Sequence, residues 1–288
     1  MTPEFFVDFK VQKDIFKRAL EKDFSITEIQ QIWRQILIHF LSISPIEQIS
    51  MGSHQFSAAE TNVINNIVQR LHNKEPFQHI IGEVEFYGLE LKSDARGLIP
   101  RPETEELVHW VLGSVKDNDL VLDVGTGSGC IALAIKSFND SISVTGFDNC
   151  SNAISIAKEN SRNLNLDVSF VNENILAPKS HEKPWDIIIS NPPYIPFSDK
   201  KSMHENVLNF EPANALFVSD NNPLLFYNAV AKFALNHLNN GALIFFEIHE
   251  KKSDETLELL ASLGFKEIEL KKDLQGKNRM IKAKFIEN

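Results

Sequence analysis

From about residue 118 onward the chain alternates short apolar runs with helix-length amphipathic stretches, and few folds accommodate that pattern. The runs fall at residues 120–124, 144–147, 168–171, 187–189 and 242–248. A strand that is apolar on consecutive residues must be covered on both faces, and the intervening amphipathic stretches supply the covers. The arrangement that satisfies both is a mostly parallel sheet between two helix layers, an α/β fold. Two further strand candidates, 265–270 and 280–285, follow with no clear helix between them. They are therefore expected to pair antiparallel, because a parallel pair needs a long crossover.

The first part of the chain has a different period. Ile29, Ile32, Trp33, Ile36, Leu37, Phe40 and Leu41 recur at helical spacing and form one apolar stripe. Ser25 with Glu28, and Ser57 with Glu60, each fit a capping box at a helix start. The second box opens a stretch carrying Val63, Ile64, Ile67, Val68 and Leu71. Around residue 80 the texture changes: Ile80-Ile-Gly-Glu-Val-Glu-Phe-Tyr-Gly88 and Leu89-Glu-Leu91 predict a hairpin turning at Gly88. Pro102 then suits a helix's first turn, with Glu103 and Glu105 near its positive end. The expected organisation is a small helical bundle over 1–78, a hairpin linker over 79–100 and an α/β domain over 101–288. A chain of 288 residues has room for both domains.

Composition narrows the classes of function. Lys and Arg total 29 against 39 Asp and Glu, a formal net charge of -10, which disfavours a broad phosphate-binding face and so a nucleic-acid partner. No apolar run is long enough to span a bilayer. Met-Thr-Pro-Glu-Phe-Phe at the start lacks the basic residues and cleavage site of a leader. Cys130 and Cys150 have no metal-ligand spacing, so a reduced cytoplasmic setting, two small buried side chains and no bound metal are expected.

Val121-Leu-Asp-Val-Gly125-Thr-Gly127-Ser-Gly129 lies between the first apolar run and a helix expected over 131–138. Glycines there let the backbone turn sharply and approach a ligand closely. Asp148 ends the next run, 19 residues after Gly129, where a carboxylate can accept hydrogen bonds from both hydroxyls of a ribose. The loop alone is also compatible with an empty glycine turn; the acidic strand end favours a nucleoside ligand. The spacing G-x-G-x-G is one residue short of the dinucleotide fingerprint. No pyrophosphate needs the longer cradle in S-adenosylmethionine, and the shortened loop favours it over a nicotinamide dinucleotide. Thr126 belongs to the same loop. Asp123 is suited either to orient the cofactor's amino group or only to brace the turn.

Asp186-Ile-Ile-Ile-Ser-Asn191-Pro192-Pro193-Tyr194 places a polar–proline–aromatic tetrad just past a buried strand, at the sheet edge where ligands bind. Asn-Pro and Pro-Pro also punctuate ordinary turns. The tetrad nevertheless has a specific chemical use. A planar nitrogen is a poor nucleophile because its lone pair is delocalised. Accepting its two N–H bonds points that lone pair at the methyl donor and stabilises the positive charge developing on nitrogen. Asn191 offers a side-chain oxygen and Pro192 a carbonyl, with Pro193 holding the backbone rigid. Tyr194 can stack on a planar group.

These two motifs together resemble the methyltransferases of planar amino and amide nitrogens, whose members act on DNA adenine, ribosomal RNA guanine or protein glutamine. Further segments narrow the likeness. Pro76-Phe-Gln-His-Ile-Ile-Gly82, Glu85-Phe-Tyr-Gly88, Ile99-Pro-Arg-Pro-Glu-Thr-Glu105, Glu211-Pro212 with Ala215-Leu216, and Phe246-Glu-Ile248 resemble the HemK/PrmC release-factor glutamine methyltransferases. The resemblance implies a seven-stranded Rossmann-like methyltransferase domain behind a helical substrate-recognition domain. It implies methylation, by S-adenosylmethionine, of the glutamine in the Gly-Gly-Gln loop of peptide-chain release factors. By position, Gly125, Gly127, Gly129 and Asp148 would touch the cofactor, and Asn191, Pro192, Pro193 and Tyr194 the glutamine, with Asn191 reaching both. Glu103 would face the substrate loop or serve only the helix start.

Two positions depart from the family pattern. Val171-Asn-Glu-Asn174 stands where an acidic residue near the adenine is common, leaving Asn174 or Glu173 for that contact. His249 replaces a usual glycine, with a solvated loop histidine as its expected state. The competing functions are glutamine methylation of a large-subunit ribosomal protein, whose enzymes usually lack the Pro-Glu-Thr-Glu reading, DNA or RNA amino-group methylation, and cofactor binding without catalysis.

Overall fold

The computed structural model describes residues 6–179, 181 and 184–287. Met1 to Phe5, most of the segment on which the leader reading rests, fall outside these. The chain divides into two compact units, residues 1–82 with 205–210, and residues 83–204 with 211–288.

The first unit is built on helices α1 (Phe9–Leu20), α2 (Ile26–His39) and α3 (Ala58–His72). Both expected capping boxes form: the Glu28 amide donates to Ser25 Oγ at 3.2 Å while the Ser25 amide donates to Glu28 Oε2 at 2.7 Å, and Ser57 with Glu60 repeats the exchange. A third box, Ser44 with Glu47, opens the short helix Pro45–Ile49. The apolar stripes meet in one core holding Phe16, Trp33, Ile36, Ile64 and Ile67. Two details differ from a purely helical reading. Val7–Asp8 pairs antiparallel with Gln55–Phe56. Phe77–Ile81 is a helical turn that Gly82 ends at φ 89°, so Ile80 is buried in this unit's core rather than starting a strand.

The second unit begins with the hairpin, Glu83–Phe86 against Leu89–Lys92. Its turn residues Tyr87 and Gly88 have φ 49° and 77°, the positive pair that matches strand twist. The Tyr87 amide donates to Glu105 Oε1 at 2.6 Å, which ties the hairpin to helix α4 (Pro102–Leu112).

The main sheet has seven strands: β1 (Leu120–Val124), β2 (Ser143–Asp148), β3 (Val168–Asn172), β4 (Trp185–Ser190), β5 (Leu238–Glu247), β6 (Lys266–Lys272) and β7 (Asn278–Lys284). Their spatial order is β6-β7-β5-β4-β1-β2-β3. All neighbours are parallel except β7, which runs antiparallel to both β5 and β6. Helices α4, α5 (Cys130–Phe138) and α6 (Ser151–Leu164) cover one face, on which Val121, Ile187, Ile189 and Phe245 lie. Helices α7 (Leu225–His237) and α8 (Ser253–Ser262) cover the other, meeting Leu122, Ile188, Ile244 and Phe246. Covering on both faces explains why these strands are continuously apolar.

Candidate functional site

The chain leaves β1 for β2 on one side of the sheet, while β4 lies against β1 on the other. Such a switch of direction opens a crevice at the carboxyl ends of the strands. Here it brings the glycine loop and the tetrad together. In register, Val124 of β1 faces Ser190 of β4, and Ser190 Oγ donates to the Val124 carbonyl at 2.7 Å. The loop and tetrad begin on the next residues. A cavity of about 840 Å³, its open mouth included, lies there and is lined by residues of the second unit alone.

Gly125, Gly127 and Gly129 have φ of 77°, 56° and 84°, all in the left-handed region that suits glycine. Gly125 and Gly127 line the cavity. Gly129 does not: a Cβ there would stand 3.0 Å from the Phe170 ring and 3.2 Å from Ala157, so its bareness serves helix–sheet packing. Gly146, which drew no attention in the sequence, is tighter still, with 2.7 Å from a built Cβ to the Phe170 ring and 2.8 Å to Thr126 Oγ1.

Asp148 reaches the cavity from the end of β2. Its Oδ2 accepts from the Gly127 amide at 3.0 Å and its Oδ1 from the Cys150 amide at 2.8 Å. Each oxygen keeps acceptor capacity for a ligand hydroxyl. Burial pushes this carboxyl above its ordinary range, against the backbone donors that lower it. Beyond β3, Glu173 and Asn174 both line the cavity. Glu173 is buried, accepting from the Lys179 amide at 2.9 Å, while Asn174 accepts from the Leu176 amide at 3.0 Å.

Asp123 and Thr126 lie outside the lining. Asp123 is fully buried and accepts from Thr126 Oγ1 at 2.6 Å, and desolvation pushes its pKa up to about 7. Of the two roles open to Asp123 in the sequence, the structure displays the brace of the glycine turn.

On the tetrad, Asn191, Pro192 and Pro193 line the cavity and Tyr194 does not. Asn191 Nδ2 donates to Thr104 Oγ1 at 3.2 Å. Thr104 Oγ1 donates in turn to Glu247 Oε2 at 2.7 Å, and Tyr194 Oη donates to Glu247 Oε1 at 2.9 Å. Thr104 and Glu247 are 2% and 1% exposed, so the centre of this network is closed to water. Both residues lie within the motifs at 99–105 and 246–248, where the sequence assigns neither of them a part. An acidic residue interrupting the apolar run 242–248 is the signal that was available.

Glu103 is half-buried in the first turn of α4, 3.5 Å from Gln275 Nε2, and does not line the cavity. Arg96, also missed, does line it, and its guanidinium is held by Asp94 and Glu159. Buried Glu211 ties Arg101 and the Ile99 amide, at 2.6 and 3.1 Å. His249 lies in a loop but is only partly exposed: its ring meets Tyr194 edge-on at 6.0 Å and its Nδ1 accepts from the Lys251 amide. Cys130 and Cys150 are free and partly buried as residues; Cys130 packs against the core, while Cys150 opens onto the cavity and departs from the buried expectation.

Comparison with known proteins places these features. Residues 107–216 match the methyltransferase small domain and residues 18–82 the PrmC N-terminal domain. The release factor glutamine methyltransferase of Flavobacterium psychrophilum is 37% identical over 276 residues, covering 94% of this chain and 96% of that protein. The chain belongs to the release factor glutamine methyltransferase family. The Streptococcus pneumoniae member is 42% identical over 224 residues, 77% of this chain and 79% of that one. Among solved structures, a methyltransferase from Pyrococcus furiosus aligns with TM-score 0.51 at 19% identity, over 76% of this chain and 98% of that one, which supports the fold. Members of this family are S-adenosylmethionine-dependent methyltransferases, and the cavity built from Gly125, Gly127 and Asp148 fits that donor. Among the described residues no helix is long and apolar enough to cross a membrane, and no cluster could hold a metal ion.

Proposed function

We propose that the protein methylates the side-chain amide nitrogen of the glutamine in the Gly-Gly-Gln loop of a peptide-chain release factor. The observation that carries this reading is the orientation of Asn191. Its Nδ2 is tied to Thr104, and among the described residues no donor meets its Oδ1, which leaves that oxygen as the acceptor at the cavity. A substrate amide N–H donated to Asn191 Oδ1 and another to the Pro192 carbonyl would hold the nitrogen's lone pair in line. When bound, S-adenosylmethionine would supply the electrophilic methyl group, the carbon–nitrogen bond forming as the carbon–sulfur bond breaks, with a proton then lost from the nitrogen. The chain's own residues bind, orient and stabilise the developing charge.

In this reading Gly125 and Gly127 admit the donor closely, Asp148 accepts from its ribose, and Asn174 or Glu173 meets its adenine. Gly129, Thr126 and Asp123 support the loop that does so. Pro193 stiffens the acceptor backbone and Tyr194 secures the tetrad's end through Glu247. Glu103 offers a carboxylate to the incoming loop, and the helical first unit contributes substrate recognition. The partner is a protein, with neither nucleic acid nor membrane engaged, which the net charge of -10 supports. Two unpaired cysteines support a cytoplasmic location.

Labelled S-adenosylmethionine offered with release factor, large-subunit ribosomal protein or RNA separates the candidates. Label on the release-factor glutamine, located by mass spectrometry, is expected. Label on the ribosomal protein or RNA alone overturns the substrate and keeps the chemistry.

A further inference from the structure

We infer that Glu247 is a positioning residue which, through Thr104, dictates which end of the Asn191 side chain is presented to the substrate. The inference rests on the reading of Asn191 as the amide acceptor. A primary amide has an acceptor end and a donor end of nearly the same shape, so packing alone cannot choose between them. The choice must come from a neighbour with only one kind of hydrogen-bonding capacity.

Glu247 is that neighbour. It sits at the end of β5, 1% exposed, and an ionised carboxylate only accepts. Its Oε2 accepts from Thr104 Oγ1 at 2.7 Å and its Oε1 from Tyr194 Oη at 2.9 Å. Thr104 has one hydroxyl proton, committed to Glu247, so its oxygen faces Asn191 only as an acceptor. Asn191 must then turn Nδ2 toward Thr104, at 3.2 Å, and Oδ1 away. The relay also braces both ends of the tetrad at once, Asn191 through Thr104 and Tyr194 directly. Three chain-distant segments are involved: Thr104 in the first turn of α4, the tetrad after β4, and Glu247 at the end of β5. Burial pushes the Glu247 carboxyl above its ordinary range, against the hydrogen bonds from Thr104 and Tyr194 and the charge of Arg279, which favour the ionised form.

The role differs from a purely structural one in what substitution does. Glu247→Gln keeps the volume but adds a donor, so either Thr104 or Tyr194 loses its acceptor. Relieved of that commitment, the Thr104 hydroxyl can donate to Asn191 and reverse it. Thr104→Val removes the link while keeping the shape, and Thr104→Ser restores it. The test measures kcat and KM on the protein substrate, together with calorimetric binding of S-adenosylmethionine, for these variants and for Asn191→Ala with and without Glu247→Gln.

Glu247→Gln and Thr104→Val should each lower kcat on the order of ten- to a hundredfold, the scale of one misplaced hydrogen bond at the reacting group. Donor affinity should stay within about twofold, since catalysis and binding lose different interactions. Thr104→Ser should recover most of the loss, and in the Asn191→Ala background Glu247→Gln should add nothing further. Wild-type kcat in Thr104→Val beside an impaired Asn191→Ala overturns the relay and leaves the acceptor reading standing. So does an undiminished effect of Glu247→Gln when Asn191 is already gone. Wild-type kcat in Asn191→Ala removes the acceptor reading and the relay together. Should Glu247→Gln fail to fold, the Thr104→Val and Thr104→Ser pair decides alone.

Discussion

Ser190 Oγ donates to the Val124 carbonyl at 2.7 Å, and both residues are almost wholly buried. This bond joins the last residue of β4 to the last of β1, so the tetrad and the glycine loop spring from one fixed point. A Cβ on Gly125 would lie 3.9 Å from the Asn191 carbonyl oxygen, so the two motifs are close neighbours there. Ser190→Ala should lower stability by about 1–3 kcal/mol, because the Val124 carbonyl is left without that buried donor. Denaturant unfolding reads this directly, and an unchanged midpoint means that another donor replaces the hydroxyl.

Asp148→Ala should weaken S-adenosylmethionine binding by about 1.5–3 kcal/mol, the contribution of hydrogen bonds to a charged acceptor. Some of the loss will come through the loop, since the Gly127 and Cys150 amides lose their anchor as well. Calorimetry is the measurement. Unaltered affinity would remove Asp148 from the binding site.

Asn191→Ala should reduce turnover by roughly a hundredfold or more, with donor binding largely retained, as when a preorganised transition-state hydrogen-bonding group is lost. Asn191→Asp is the sharper comparison. It keeps an acceptor oxygen but faces Thr104 Oγ1 with a second acceptor in place of Nδ2, so it should bind donor well and turn over slowly. If both variants methylate at the wild-type rate, Asn191 is a turn residue only.

Asp123 gives stability a pH dependence of defined sign. Folded, its carboxyl holds a proton up to about pH 7; the reference value is 3.8. Between those values the folded state binds more protons than the unfolded one, so this group's contribution declines as pH rises through the window. The decline amounts to about 4 kcal/mol at one pKa unit per 1.36 kcal/mol. Thermal unfolding of Asp123→Asn, which stays neutral, should show a shallower fall from pH 4 to 7 than the wild type. Parallel profiles would place the titration elsewhere.

Gly146→Ala should destabilise by about 1–3 kcal/mol, the usual cost of overpacking. The added methyl meets the Phe170 ring and Thr126 Oγ1, and moving Thr126 disturbs its bond to Asp123. Gly52→Ala, with nothing within 4 Å of the new carbon, is the control. Equal Tm values for the two variants would show that Phe170 yields freely.

Much of this protein was legible in its sequence because the deciding interactions are local or periodic. The capping boxes at Ser25 and Ser57 join residues three apart in the chain. The runs that became β1 to β5 are apolar for a reason independent of topology: helices cover both sheet faces. The G-x-G-x-G loop and the acidic end of β2 were readable as a candidate nucleoside site because backbone turns and strand ends constrain residue type directly. Even the antiparallel closure by β6 and β7 followed from the missing crossover.

Other features were set by contacts between residues far apart in the chain, which no local pattern encodes. Thr104 and Glu247 lie 143 positions apart and meet at 2.7 Å only because α4 packs where β5 ends. That packing seats the Thr104 hydroxyl between the Glu247 carboxyl and the Asn191 amide. Gly129 and Gly146 look like any glycines until Phe170 is placed against them. Asp123 left two roles open in sequence, and enclosure with Thr126 displays one. The sequence by itself determined which elements form and what kind of ligand their ends can hold. The tertiary structure decided which side chains face one another across the sheet edge, because orientation and desolvation arise only when distant segments enclose a group together.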